Sequence, residues 1–102
     1  MGYQSGRTFG TGTSNDAGFN NFIGYQVAYL NTVSDGGGYN NSIGYQAGYR
    51  LSFGRGNNLL GYQAGFNVTT GGYNVFDGYF AGLSNVTGSY NIGIGYSAGQ
   101  EI

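Results

Sequence analysis

A short phrase recurs along this chain and restricts its fold more than any other property of the sequence. Each occurrence begins with a Gly-Tyr pair, at starts that lie 22, 20, 17, 17 and 17 residues apart: Gly2, Gly24, Gly44, Gly61, Gly78 and Gly95. From the second occurrence on, an Asn lies four places before the pair: Asn20, Asn40, Asn57, Asn74 and Asn91. Internal repetition of short period is typical of a solenoid.

The repeats differ in length in one segment only, which follows the Gly-Tyr block. This segment has ten residues in the first repeat (7–16), eight in the second (29–36) and five in each of the next three. Insertions confined to one place in a repeat indicate a loop on one face of a solenoid. We therefore expect the two longest segments to be surface loops that contact other molecules.

The composition of the repeats favours strands over helices. The chain holds 23 Gly in 102 residues, and each Gly costs a helix about 1 kcal/mol. In the last block Tyr90, Ile92 and Ile94 alternate with Asn91 and Gly93, which is the period of a strand. We predict an all-β fold, a parallel β-solenoid or β-roll of about six stacked coils of 17–22 residues, in a single domain over 1–102.

Stacking in register would place like residues above each other, about 4.8 Å apart. We predict that Tyr, with Ile and Leu, fills the core or a seam between chains, and that the Asn residues form a hydrogen-bonded ladder on the opposite face. The predicted Tyr column is Tyr25, Tyr45, Tyr62, Tyr79 and Tyr96. Small pairs after the Gln position predict tight turns or close contacts with another backbone: Ala47, Gly48, Ala64, Gly65, Ala81, Gly82, Ala98 and Gly99.

Asp77 occupies a repeat position that holds Ile43 and Leu60 in the preceding coils. A buried carboxylate without a partner is costly. We therefore expect Asp77 to pair with Arg50 or Arg55 from a nearby coil.

A stack of six such coils would be thin, since it would rise only about 29 Å. Small domains bury little surface, and both ends of an open solenoid expose strand edges. The sequence starts and stops within its repeat, and 7% charged residues give little repulsion between copies. We therefore expect self-association into a homotrimer, a head-to-tail polymer, or both.

The unit Asn-x-x-Ile-Gly-Tyr-Gln-Ala-Gly, residues 40–48, resembles the head repeats of trimeric autotransporter adhesins. Its Gly-Tyr-Gln-Ala-Gly part is similar to repeats of some bacterial surface proteins and phage tail fibres. The resemblance covers essentially the whole chain. It implies a left-handed parallel β-roll of three chains that projects from a surface and binds a host or matrix. The present coils are longer, and Tyr follows the Gly where the adhesins more often have a small residue.

The sequence offers little for catalysis. It contains no His, Cys or Lys, and its acids share no repeat position: Asp16, Asp35, Asp77 and Glu101. We expect no enzyme activity and no cofactor. Asp35 precedes three glycines, but the repeated calcium-binding nonapeptide is absent, so no metal site is predicted.

The charge and hydropathy patterns limit the partners. A net charge of −1 gives no electrostatic footprint for nucleic acid or anionic lipid. No apolar run approaches the roughly 20 residues that cross a bilayer, and no signal segment opens the sequence. We expect no nucleic-acid partner, no membrane insertion, and a place at the cell surface, outside the cell or in a virion fibre.

Three Asn-x-Ser/Thr triplets begin at Asn40, Asn67 and Asn85. The first lies in the predicted strand block, where a glycan would be hindered. The other two lie in the variable segment and are candidate N-glycosylation sites, and the hydroxyls near them are candidates for O-linked sugar: Thr69, Thr70 and Thr87.

The sequence predicts a structural protein that forms a rigid extracellular or virion fibre with adhesive contacts. The alternative is a solenoid module that binds carbohydrate or a surface such as ice through an exposed Tyr and Asn face. Ice-binding solenoids usually show rows of Thr, whereas the repeated residues here are Asn, Gly and Gln. A carbohydrate strip predicts exposed Tyr rings and binding by a soluble monomer.

Overall fold

The computed structural model describes residues 20–30 and 38–99. It contains five three-residue strands: β1 (Asn21–Ile23), β2 (Asn41–Ile43), β3 (Asn58–Leu60), β4 (Val75–Asp77) and β5 (Ile92–Ile94). They form one sheet in chain order, and every neighbouring pair is parallel. The chain therefore winds round once between successive strands. An all-β parallel solenoid is confirmed for this part of the chain, with about four turns and no helix within it.

The strand register aligns the repeats as the sequence predicts. Asn21 is paired with Asn41 and Ile23 with Ile43, and Ile43 is then paired with Leu60. The repeat starting at Gly2 lies outside the described residues, as do residues 31–37 of the next one. The structure accordingly supports the repeat without extending it to the sixth predicted coil.

Hydrogen bonds between coils continue past the short strands into the turns. The Gly44 N–H donates to Ile23 O at 2.9 Å, and the Gln46 N–H donates to Tyr25 O at 2.8 Å. The same pair of bonds recurs one coil further on, for example from the Gly61 N–H to Ile43 O at 2.8 Å. The sheet-like ladder is thus longer than its three-residue strands, which explains how such short strands can hold a stack together.

The Gly of each Gly-Tyr pair has a backbone that only Gly adopts easily. Gly61 has φ 128°, and a Cβ built on it would lie 2.7 Å from the carbonyl oxygen of Gly78 in the next coil. The repeated Gly therefore meets two demands at once, an unusual φ and the close approach of a second backbone.

The residue after each Gly-Tyr pair also has a left-handed backbone conformation, although it is not Gly. Gln26, Gln46 and Gln63 have φ of 52°, 55° and 54°. This conformation costs an L-residue about 1–2 kcal/mol. The cost recurs at the same place in successive coils, so the hydrogen bonds between those coils must offset it.

The core is narrow and is filled from several sides of the coil. Each strand contributes its middle residue: Phe22, Ser42, Leu59, Phe76 and Gly93 are all buried. The remaining sides contribute small and aliphatic groups: Val27, Ala28, Ala47, Leu51, Ala64, Val68 and Ala81. Ser42 is the polar member of the strand column, and its buried Oγ has no hydrogen-bond partner.

Of the two places predicted for the Tyr and Ile side, the core of the same chain is wrong, and the seam between chains stays a prediction. The predicted alternation is present, but the Asn side faces the interior and the Tyr and Ile side faces outward. Asn74 is fully buried, whereas Tyr45 is exposed. The physical reason is that buried carbonyls such as Gly54 O and Gly71 O need donors, and the inward Asn amides supply them.

We predict that Gly61→Ala destabilises the solenoid more than Gly95→Ala. Both residues have a similar φ, 128° and 120°, but the nearest atom to a Cβ on Gly95 is Ala98 Cβ at 4.0 Å. Both substitutions introduce backbone strain of about 1–3 kcal/mol, and only Gly61→Ala adds overpacking of about 1–3 kcal/mol. Urea unfolding of dilute protein measures the difference. Equal losses in the two variants would contradict the close approach of coils at the Gly column.

Candidate functional site

The best-defined polar feature is an internal Asn ladder, formed by the Asn residue that immediately precedes each strand. Asn57 Nδ2 donates to Asn40 Oδ1 at 3.1 Å, and the Asn57 N–H donates to the same oxygen at 2.9 Å. Asn57 Nδ2 also donates to Gly71 O at 2.9 Å. The next member, Asn74, repeats these three bonds with Asn57 and Gly88. Each buried amide is therefore satisfied by the coils before and after it.

This internal Asn ladder runs through every described coil. Asn40 donates its N–H to Asn20 Oδ1 at 2.9 Å, and the Asn91 N–H donates to Asn74 Oδ1 at 3.0 Å. Inside a low-dielectric core such bonds are strong and reinforce each other along the chain of amides. All five Asn residues predicted from the sequence thus lie in one ladder that connects coils of the same chain.

Two further amide ladders lie at the surface and were missed by the sequence interpretation. On the strand, Asn21 Nδ2 donates to Asn41 Oδ1 at 2.9 Å, and Asn41 Nδ2 donates to Asn58 Oδ1 at 2.8 Å. At the turn, the Gln residues bond in the same way, with Gln46 Nε2 to Gln26 Oε1 and Gln63 Nε2 to Gln46 Oε1, both at 2.8 Å. The sequence signal for both ladders was an Asn or a Gln at the same repeat position in three consecutive coils.

Both surface ladders stop at the same level of the solenoid. In the fourth coil, Val75 replaces the strand Asn and Phe80 replaces the Gln. In the fifth coil the same positions hold Ile92 and Ser97. The outer surface therefore changes from amides in the first three described coils to mainly apolar groups in the last two.

The five predicted Tyr residues form one stacked column on the outer surface. The ring centroids of successive members are 5.2, 4.9, 4.7 and 5.4 Å apart, and their planes differ by 4–8°. Tyr45 and Tyr62 are 41% and 38% exposed. Because each inner ring is covered on both faces by its neighbours, the column presents its edges to solvent.

Other aromatic residues repeat this stacking elsewhere on the coil. Tyr29, Tyr49 and Phe66 form a second column with centroid separations of 5.3 and 4.7 Å. Tyr73 and Tyr90 stack at 5.3 Å. Stacking along the axis is therefore general for aromatic side chains on this solenoid and is not restricted to the Gly-Tyr position.

The Ala-Gly pairs lie in the turn that follows each Tyr. Ala47, Ala64 and Ala81 are fully buried, and the Gly residues that follow them have φ of 60–63°. A Cβ on Gly82 would overlap the Phe76 ring of the same chain. In these three coils the small residues admit core side chains of their own chain, whereas Ala98 and Gly99 in the last described coil are partly exposed.

The two candidate N-glycosylation sites differ sharply. Asn85 is buried; its Nδ2 donates to Gly88 O at 3.0 Å, and its Oδ1 accepts from the Gly88 N–H. A glycan on that nitrogen would break the turn, which argues against Asn85 as an acceptor. Asn67 is partly exposed, although its Nδ2 donates to Leu83 O at 2.8 Å. Of the candidate Thr residues, Thr70 and Thr87 are exposed, and Thr69 Oγ1 donates to Val86 O.

The predicted ion pair of Asp77 is wrong. Asp77 lies at the outward end of β4 and is exposed, and no ion pair joins it to Arg50 or Arg55 within residues 20–30 and 38–99. Because its carboxylate stays in water, burial does not force it to find a partner. Arg55 instead lies over the Tyr39 ring, 5.6 Å from the centroid.

Several predicted features lie outside the described residues. They are the loop 7–16, most of the loop 29–36, and the acids Asp16, Asp35 and Glu101. Within the described ranges there is no cluster of three or more His, Cys, Asp or Glu residues that could hold a metal ion. The same ranges contain no helix long and apolar enough to cross a membrane.

Comparisons of the chain with protein-family models, curated proteins and solved structures give no match. The functional interpretation therefore depends on the geometry of the ladders and columns.

We predict that Asn57→Ala is far more damaging than Asn58→Ala, the same change at the next residue. Asn57→Ala leaves Gly71 O and the Asn74 N–H without their partners, and Asn74 Nδ2 keeps only Gly88 O. Each buried unsatisfied group costs about 1–3 kcal/mol. Asn58 accepts one surface bond, so its loss should cost less than about 1 kcal/mol. Denaturant unfolding checks this expectation. Similar small losses in both variants would mean that the internal ladder contributes little.

Proposed function

We propose that this protein is a structural protein that forms a rigid fibre by association with copies of itself, outside the cell or in a virion. The observation that carries the proposal is the axial stack itself, in which one internal Asn ladder and one Tyr column run through all five described coils.

The backbone hydrogen bonds between coils support the same proposal. In the inner coils, Ile43 O and Tyr45 O accept hydrogen bonds from the Gly61 and Gln63 N–H groups of the next coil. Each described coil thus offers acceptors to the coil above it, and a strand edge of this kind is a template for pairing with another chain.

The apolar side chains of the last coil add a driving force for association. Tyr90, Ile92 and Ile94 are each at least two-thirds exposed, at 77%, 73% and 67%. Large apolar groups concentrated in one place mark interaction sites on soluble proteins. These groups fit an apolar surface on a partner, which a second copy of the chain supplies.

A fibre role agrees with the direction of bonding in the described coils. The amide ladders and the aromatic columns all run along the solenoid axis, so the coils form a stiff rod. The resemblance of the Gly-Tyr-Gln-Ala-Gly unit to adhesin heads and phage tail fibres agrees with a protein that projects from a surface. We include in the proposal a trimeric arrangement, head-to-tail stacking, and adhesive contacts through the loops.

We predict that the wild-type protein forms filaments and that Gly95→Ala shortens them. By analogy with Gly61 and Gly78, a Cβ at Gly95 would meet a carbonyl of the coil that stacks on it, 2.7 Å away in the inner pair. Negative-stain microscopy and light scattering measure the effect, and Thr70→Ala on the exposed turn is the control. A wild-type protein that stays a folded monomer at all concentrations would overturn the proposal.

A second candidate function is carbohydrate binding through the outer Tyr and Asn face. The observation in its favour is that the Tyr column lies on the surface, with hydroxyl-bearing edges about one coil apart. Sugars usually stack on ring faces, however, and the inner rings are covered on both sides. This candidate therefore requires hydrogen bonding to the phenol edges.

For this candidate we expect a soluble monomer to bind polysaccharide with a Kd of about 1 mM. Tyr62→Phe should weaken binding because it removes a hydroxyl and keeps the stacked ring. Titration calorimetry with soluble glycans measures it, and Tyr49→Phe on the second aromatic column is the matched control. Equal affinity in both variants would exclude the Tyr column as the binding site.

A further inference from the structure

The last two described coils carry an apolar outer patch with a single charge in it. We call it the strand-face patch, and it consists of Val75, Asp77, Ile92 and Ile94. Ile92 and Ile94 are 73% and 67% exposed, and Asp77 is exposed beside them in the register of the sheet. The Asp77 carboxylate has no hydrogen-bond or ion-pair partner in the part of the chain that the structure describes.

The first two described coils carry a complementary patch after their small-residue turns. We call it the turn patch, and it consists of Leu30, Arg50 and Phe53. Leu30 and Arg50 occupy the same repeat position in successive coils, and Leu30 and Phe53 are 39% and 55% exposed. The Arg50 guanidinium also lacks a partner within the described ranges.

We propose that the strand-face patch of one copy binds the turn patch of a second copy, with Asp77 facing Arg50. This inference builds on the proposed self-assembly and names a lateral contact for it. Each patch is apolar with one charged residue, and the charges are opposite. Asp77 is the one carboxylate among residues 20–30 and 38–99, and of the two Arg residues there, Arg55 already lies over Tyr39.

In this interface the apolar groups and the pair of opposite charges have different roles. Exposed ion pairs by themselves contribute little, so the aliphatic and aromatic groups supply the attraction. Covering those groups removes water from around the two charges, which strengthens their interaction and makes a like-charge pair costly. The charges therefore determine which surfaces meet.

The two charges lie at different levels of the solenoid, which determines the type of assembly. Asp77 belongs to the fourth described coil and Arg50 to the second. To bring them together, parallel copies must be shifted along the axis by two coils, about 10 Å at the usual strand spacing. A contact between unlike surfaces with such a shift does not close into a flat ring, so it builds an open, staggered filament.

A charge-swap experiment tests this contact. We expect D77R and R50D each to weaken self-association by about tenfold or more, because each places like charges face to face. The double variant D77R/R50D should restore association. An equimolar mixture of the two single variants should also restore it, since each D77R chain can then place its new positive charge against the new negative charge of an R50D chain. Sedimentation velocity at several concentrations measures the association, and circular dichroism reports the fold.

The outcomes separate this inference from the proposed fibre. If wild-type protein assembles and neither single variant changes that, the lateral contact is wrong and the fibre proposal stands. If the wild type does not assemble, the fibre proposal itself fails. Restoration by the mixture excludes simple misfolding of the single variants, and loss without restoration in both the mixture and the double variant overturns the Asp77–Arg50 pairing.

Discussion

Hydrogen bonding between successive coils holds every described turn of this solenoid to the next. The amide-to-amide bonds in the core and on the surface join residues 17 or 20 positions apart, and the backbone bonds in the sheet and turns join neighbouring repeat positions of successive coils. This requirement explains the fixed glycine. Coils must approach closely for the ladder to form, and at Gly61 a side chain would occupy the place of the Gly78 carbonyl.

The internal Asn ladder also explains why a polar residue, Asn, lies in the core of each coil. Burying an amide is costly unless its donors and acceptor are satisfied. Asn57 gains its partners from the coils on either side, so each added coil satisfies the one before it.

Much of the fold could be predicted from the sequence. The repeat of Gly-Tyr and Asn predicts strand order, parallel pairing and register, because residues at one repeat position must stack. The inward face could not be predicted in this way, since alternation of Asn41, Ser42 and Ile43 identifies two faces but does not say which is inside. The usual preference for apolar interiors pointed to Ile and Tyr. The interior does hold large apolar groups such as Phe76, but its inward carbonyls also require amide donors, which the buried Asn residues supply.

One buried position differs from coil to coil, and this variation distinguishes each coil from its neighbours. The internal Asn and the Gly recur in every described coil, so these contacts alone would let any coil sit beside any other. The buried strand position, by contrast, changes from Phe22 to Ser42, Leu59, Phe76 and Gly93. Since the size of this residue changes from coil to coil, a slip by one turn would place each side chain in a space shaped for a different volume. The uniform contacts thus favour lengthening by whole coils, while the variable column favours one register.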